Sequence, residues 1–217
     1  MKQFDIITEA DARVLERGTA VELARGGHIT PLAQDTLRER RITVVQAGRT
    51  SDADASLAPA ADIRSVVIGS DGDGRELRRA LVAFLRSRGL AVDDSAAGQS
   101  DSLEYPVIAA RVARAVAARE ADAGVVIDAG GVGSAIAANK VPGVRAVMAS
   151  TERIARYARE HDGANVLTLG ASFLTTEEAV AITIAWLTTS MRDPKAIGRL
   201  AQIRDLERAG VAGDRLP

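Results

Sequence analysis

Short apolar runs alternate with helical patterns along this chain from Ser65 onward. The segments between the runs place apolar residues three and four positions apart, as one face of a helix does. This order predicts a parallel sheet covered by helices on both faces, and because such crossovers are right-handed, the sheet is expected to be doubly wound. The predicted fold is therefore a three-layer α/β domain. Its predicted strands are Val66–Gly69, Leu90–Asp93, Gly124–Asp128, Val144–Met148 and Val166–Leu169.

The composition excludes several classes of function. The net charge is −1 and aromatic residues make up 3%, so neither a nucleic-acid partner nor a membrane partner is expected. The chain has no cysteine and only two histidines, which excludes disulfides, thiolate metal sites and multi-histidine metal centres. We expect no metal and no cofactor. No stretch has the length of a signal peptide or a membrane span, which favours a cytoplasmic protein.

The N-terminal and C-terminal segments of the chain do not follow this alternation of strands and helices. Residues 1–46 contain strand candidates at Phe4–Ile7 and Ile42–Val45 and a helix from Pro31, which predicts a small α+β segment. Residues 47–62 have the polar, alanine-rich composition of a linker, and residues 63–217 form the predicted α/β domain. From Arg192 an amphipathic helix is expected, which packs on a partner subunit or on its own domain. Its apolar residues are Ile197, Leu200, Ile203 and Leu206.

The run from Gly124 to Met148 is the most informative for function. A buried strand ends in a carboxylate, Asp128, and a loop with Gly130, Gly131 and Gly133 follows it. Ligands of open α/β sheets bind at the carboxyl ends of the strands, and converging backbone N–H groups can hold an anion there. The alternative is a tight strand-to-helix turn that binds nothing.

Four motifs extend this interpretation, and together they resemble the family of ribose-5-phosphate isomerase B and the galactose-6-phosphate isomerase subunits. The motifs are VIGSDGDGRELRRAL, EYPVIAARVARAV, the run ending in IAANKVPGVRA, and AREHDGANVLTLGA. The resemblance covers just over half of the chain. It implies a sheet of five parallel strands, a homodimer or higher homo-oligomer with the site between subunits, and aldose–ketose isomerisation of a phosphorylated sugar, most simply a pentose phosphate.

The resemblance also implies roles for individual residues. Asp71 matches an aspartate that contacts sugar hydroxyls, and His161 matches the residue that opens the sugar ring. Asp128 stands where many members carry a catalytic cysteine, and is expected to act as the base in its place. A base is needed to remove a proton next to a carbonyl, and N–H donors are needed to stabilise the resulting enediolate. We expect the N–H groups from Gly131 to Ser134 to serve as these donors. The residues expected to bind substrate are Gly130, Gly131, Gly133, Ser134, Asn139 and Arg199.

The sequence departs from the family pattern at its phosphate-binding cations. The Ser172–Phe173 pair replaces an arginine after LGA, and Arg199 is the nearest retained cation of the C-terminal cluster. A catalytically weak or inactive member that serves as a sugar-phosphate-binding or assembly subunit is therefore an alternative. A dinucleotide-binding oxidoreductase is disfavoured, because GSDGDG after Ile68 is not the G-x-G-x-x-G fingerprint.

Residues 1–46 resemble a small N-terminal segment of enzymes from bacterial microcompartment operons. The matching stretches are DIITEADAR and HITPLAQDTLRERRITVV. This resemblance implies an assembly or targeting role, with a shell or cargo partner inside a microcompartment, rather than a role in chemistry.

Overall fold

A computed structural model describes residues 2–46, 52–94, 103–191 and 194–212 of the chain. The chain divides into two units, Met1–Ser51 and Asp52–Pro217. Among the described residues, no helix is both long enough and apolar enough to cross a membrane.

The larger unit is built on a five-stranded sheet in which every neighbouring pair is parallel, as the alternating pattern predicts. Its strands are β4 (Ser65–Ser70), β5 (Ala91–Asp93), β6 (Ala123–Asp128), β7 (Ala146–Met148) and β8 (Val166–Gly170), in the order β5-β4-β6-β8-β7. Its helices are α3 (Asp52–Ala55), α4 (Arg75–Ser87), α5 (Tyr105–Ala117), α6 (Val132–Ala138), α7 (Glu152–Asp162), α8 (Thr176–Leu187) and α9 (Pro194–Ala212).

Two apolar cores lie on the two faces of this sheet. The three central strands β4, β6 and β8 are rich in valine, isoleucine and leucine, and every residue of β6 is buried. One face packs against α4, α7 and α8, and the other against α5 and α6. This arrangement gives the three layers of the predicted doubly wound fold and leaves the two edges of the sheet for loops.

Helix α8 departs in detail from its predicted apolar face. The pattern singled out Val180, Ile184 and Leu187, but these residues are only partly buried. The fully buried residues of this helix include Ala179 and Trp186 instead. Helix α8 is apolar on nearly all sides, so spacing alone does not select the face that meets the sheet.

The smaller unit also alternates strands with helices. Its elements are β1 (Gln3–Ile7), α1 (Glu9–Val14), β2 (Ala20–Ile29), α2 (Pro31–Glu39) and β3 (Thr43–Gln46). The three strands are parallel in the order β1-β2-β3. Thr8 and Thr30 cap the two helices through their hydroxyls, and Pro31 occupies the first turn of α2. The unit has an apolar core of its own.

The segment predicted as a linker is partly folded. Its residues 47–51 lie outside the described residues, whereas α3 and the residues after it belong to the larger unit. Arg192, the predicted start of the C-terminal helix, also lies outside the described residues. Arg145 donates to the carbonyl oxygen of Leu57 at 3.0 Å, and the buried Arg159 donates to that of Ala60 at 3.0 Å. These bonds attach an otherwise polar segment to the domain, which composition could not reveal.

The C-terminal helix α9 packs on its own unit through its first half. Ala196 and Leu200 are buried, whereas Ile203 and Leu206 are exposed. Arg204 on this helix forms an ion pair of 2.8 Å with Asp54 on α3. The helix was expected to pack on a partner subunit or on its own domain, and Ala196 and Leu200 pack on its own domain.

Candidate active site

Asp71 and Asp128 lie at the same carboxyl edge of the sheet. Asp128 is the last residue of β6, and Asp71 directly follows β4, the neighbouring strand. Ser70 pairs with Ile127 in the sheet, and the N–H of Asp71 donates to the carbonyl oxygen of Ile127 at 3.3 Å. The two carboxylates therefore reach the edge side by side, as expected from their positions after predicted strands.

The carboxylate of Asp128 is held by its own loop. The residue is 4% exposed. Its Oδ1 accepts hydrogen bonds from the N–H groups of Gly130, at 2.7 Å, and of Gly131. Its Oδ2 accepts from the N–H of Ser134, at 3.0 Å, and from the Ser134 hydroxyl. A carboxylate offers about four acceptor positions, so in this arrangement all of them are occupied by the chain itself.

This bonding changes the expected set of N–H donors. The N–H groups of Gly131 and Ser134 were expected to face substrate, but both donate to Asp128. Within the described residues, the N–H groups of Val132 and Gly133 donate to no acceptor. These two groups belong to the first turn of α6, where backbone N–H groups have no partner within the helix and favour an anion.

The shape of the loop depends on Gly131 and Thr168. Gly131 has a φ of +75°, and a Cβ at this position would lie 2.9 Å from the backbone nitrogen of Gly170. Only glycine meets both conditions without strain. The fully buried Thr168 donates its hydroxyl to the carbonyl oxygen of Gly131 at 2.7 Å. Thr168 was not recognised from sequence; its only signal is a polar residue within an apolar strand.

Asp71 forms a tight turn, and its surroundings disfavour its negative charge. Its Oδ1 accepts from the N–H groups of Asp73, at 3.1 Å, and Gly74, at 3.2 Å. Partial burial raises the pKa of the Asp71 carboxyl, and the nearby charges of Asp73 and Asp128 raise it further. Perturbed carboxyls of this kind gather at functional sites.

Two aromatic rings stand beside the glycine loop. A Cβ at Gly133 would come within 2.7 Å of the ring of Tyr105, and one at Gly130 would lie 3.9 Å from that of Phe173. Phe173 is 67% exposed, so the position expected to carry a cation presents an apolar ring. A cation does lie at this edge: Arg78, which sequence reasoning missed, donates to Ser70 Oγ at 3.2 Å and pairs with Asp94 at 3.4 Å.

His161 lies at the opposite edge of the sheet. Helix α7 begins after β7 and ends before β8, so its last turn, which carries His161, lies at the amino ends of the strands. The carbonyl oxygen of Gly163, which caps the helix, accepts from Arg145, a residue that precedes β7, at 2.8 Å. The imidazole contacts the ring of Tyr157, with centroids 4.5 Å apart. Within one chain, His161 and Asp128 therefore lie at opposite ends of the strands.

Asn139 and Arg199 also lie away from the glycine loop. Asn139 ends α6 and exchanges two hydrogen bonds with the backbone of Ala146, the first residue of β7, at 2.8 and 2.7 Å. Both ends of the side-chain amide are therefore bonded to the backbone of β7 at the amino edge, away from Asp128. Arg199 is an exposed residue of α9, next to Leu200, which packs against Gly163.

The larger unit matches known proteins over most of its length. The model of the family described as Ribose/Galactose Isomerase matches residues 66–203. The ribose-5-phosphate isomerase B of Escherichia coli is 40% identical over 125 residues, which cover 58% of this chain and 84% of that protein.

Solved structures of ribose-5-phosphate isomerases B are also similar to this chain. Ribose-5-phosphate isomerase B of Mycoplasma genitalium, solved with bound ribulose-5-phosphate, is 32% identical with a TM-score of 0.63, covering 66% of this chain and 96% of that one. The type B enzyme of Trypanosoma cruzi is 30% identical with a TM-score of 0.65, covering 68% of this chain and 99% of that one.

Proposed function

The chain belongs to the ribose/galactose isomerase family, and on that premise we propose that it interconverts the aldose and ketose forms of a phosphorylated sugar, with a pentose phosphate as the preferred class. The observation that carries the proposal is a buried carboxylate, Asp128, beside two N–H groups that find no acceptor in the described part of the chain, those of Val132 and Gly133. A base and an oxyanion donor pair are what an enediolate mechanism requires.

In this mechanism Asp128 removes a proton from the carbon next to the carbonyl. The electron pair of the broken C–H bond moves to the carbonyl oxygen, and the N–H groups of Val132 and Gly133 stabilise the negative charge that forms there. The hydroxyl proton on the carbon that lost its hydrogen passes to the former carbonyl oxygen, and Asp128 returns its own proton to the former carbonyl carbon. The new carbonyl then lies on the neighbouring carbon, which completes the isomerisation. Asp71 accepts hydrogen bonds from sugar hydroxyls. One of the hydrogen bonds to Asp128 must open when the proton is transferred, because all its acceptor positions are occupied.

We propose further that a second copy of the chain completes the site. His161 and Arg199 lie at the amino edge of their own sheet, so they can act on a sugar bound at Asp128 only if they come from another subunit. Val132 and Ile136, one turn apart on α6, are 54% and 58% exposed and offer apolar area near the loop for such a contact. This arrangement places the ring-opening imidazole and a cation opposite the base.

A catalytically weak, sugar-phosphate-binding or assembly subunit is the second candidate. It is favoured by the complete internal bonding of Asp128 and by the engagement of Arg145, whose guanidinium donates to the carbonyl oxygens of Gly163, Gly143 and Leu57 rather than facing a ligand. In this case sugar phosphates would raise the melting temperature without being converted.

Turnover of a panel of tetrose, pentose and hexose phosphates separates the two candidates, and Asp128→Asn tests the mechanism. Asparagine has nearly the same size but cannot accept the proton, so we expect kcat to fall by about 10²–10⁴. The melting temperature of the variant checks that it is folded. Wild-type turnover by Asp128→Asn would show that another group is the base, and a parent that converts no sugar phosphate but is stabilised by one would favour the second candidate.

For residues 1–46 we propose the assembly or targeting role that their resemblance implies. Two features support it: the family match begins only at residue 66, and this segment has an apolar core of its own. Co-sedimentation of the full chain with microcompartment shells measures this role directly, and a chain that never co-sediments with them contradicts it.

A further inference from the structure

The hydroxyl of Ser134 has no access to a bound sugar. Ser134 is completely buried in the first turn of α6. Both its hydroxyl and its N–H donate to Oδ2 of Asp128. A contact with substrate therefore does not explain why a polar side chain is buried at this position.

We infer that Ser134 is a positioning residue that allows Asp128 to hold the proton it takes from the sugar. This inference rests on the proposed isomerase function. Three of the four hydrogen bonds to Asp128 come from backbone N–H groups, of Gly130, Gly131 and Ser134. An N–H can only donate, whereas a hydroxyl can either donate or accept. Of the described groups that donate to Asp128, Ser134 Oγ is thus the one that can reverse its hydrogen bond.

Proton transfer requires such a reversal. When the C–H bond of the substrate breaks, its electron pair moves to the carbonyl oxygen and its proton forms an O–H bond on Asp128. The protonated carboxyl then donates to Ser134 Oγ, which has turned its own hydrogen away. When Asp128 returns the proton to the former carbonyl carbon, the hydrogen bonds of Asp128 and Ser134 return to their original directions. Asp128 therefore gains and loses no net proton over the cycle.

The Ser134 hydroxyl is needed while Asp128 carries the proton. Without the hydroxyl, a protonated Asp128 would face three N–H donors and no acceptor, and a buried donor left without a partner is costly.

Ser134→Ala is the direct test, with Ser134→Thr as the variant that keeps the hydroxyl. We expect Ser134→Ala to lower kcat about tenfold, which corresponds to roughly 1.4 kcal/mol, with KM within about twofold of the parent. Ser134→Thr should recover most of kcat. The control is Thr183→Val, which also removes a buried helical hydroxyl, one that donates to the carbonyl oxygen of Ala179 at 2.7 Å. Thr183 lies on α8, which packs on the opposite face of the sheet from α6. It should turn over like the parent.

Three outcomes would overturn the inference: an unchanged kcat in Ser134→Ala, a loss confined to KM, or an equal loss in folded Ser134→Thr. If Ser134→Ala melts below the assay temperature, kcat is compared at a lower temperature at which the parent and the variant are both folded. A parent that isomerises nothing would instead overturn the proposed function, and this inference with it.

Discussion

Asp71 carries a charge that the fold makes costly. Its carboxyl is partly buried and lies near Asp73 and Asp128, which raises its pKa. The folded state therefore binds a proton at this carboxyl more tightly than the unfolded chain does. Its contribution to stability is complete below the ordinary aspartate pKa and is lost as the pH rises through the raised folded-state value. At neutral pH the charge of Asp71 opposes folding, a cost that an active site tolerates where the charge is used.

Asp71→Asn should therefore raise the melting temperature at pH 7, by no more than about 2 °C because the group is partly solvated. The gain should disappear below about pH 3.5, where the parent carboxyl is protonated. Thermal melts from pH 3 to pH 8 measure it, with Asp5→Asn on the exposed face of β1 as the control. The same variant should lower kcat/KM, since Asp71 is proposed to bind sugar hydroxyls. A melting temperature that does not respond to pH relative to the control would contradict this account.

At the scale of elements, helix direction decides which motif residues meet. Helix α6 starts at the carboxyl edge and presents its first turn to Asp128, whereas α7 ends at the amino edge and carries His161 there. The run from Gly124 to Met148 includes both ends of α6, so its Ser134 and its Asn139 lie at opposite edges of the sheet. The fold therefore divides this run between an end that bonds to the proposed base and an end that bonds to the backbone of β7.

Asn139→Ala tests this division. Loss of the two hydrogen bonds to Ala146 should lower the free energy of unfolding by about 1–2 kcal/mol, with KM within about twofold of the parent. Urea unfolding and steady-state kinetics measure the two effects, and Lys140→Ala, at the next exposed position, is the control. A severalfold rise in KM with unchanged stability would instead support the substrate-binding role expected from the sequence.

The same contrast shows what the sequence could predict. All five strands of the large sheet were found from their apolar runs. The central strands β4, β6 and β8 gave the strongest signal, because burial on both faces leaves continuous valine, isoleucine and leucine, whereas the short strands β5 and β7 are not buried. Helix α1 and strand β2 were missed, since α1 is short and polar and β2 is interrupted by Gly26 and Gly27. The position of Asp128 at the end of its strand was predicted from the sequence. The hydrogen bonds between Asp128 and Ser134 were not predicted, because a hydrogen bond across the loop has no periodic signal in the sequence.

At the scale of the whole molecule, the proposed catalytic and substrate-binding residues fall into two groups on one chain. Asp71, Asp128 and the glycine loop lie at the carboxyl edge, and His161 and Arg199 lie near the amino edge. If all of them act on one sugar, each site must combine the carboxyl edge of one subunit with the amino-edge residues of another. A two-fold dimer would build two such sites at once, since a two-fold interface repeats every contact.

Subunit mixing tests this arrangement. Asp128→Asn and His161→Ala homodimers should each be nearly inactive, because every site lacks one residue. In a mixed dimer one site combines both substitutions, while the other pairs an intact Asp128 with an intact His161. Since random exchange makes half of the dimers mixed, refolding an equimolar mixture should restore about a quarter of the parent's kcat. Mixing the two proteins without unfolding is the control. A site contained within one chain would regain nothing, because every chain in the mixture carries a substitution.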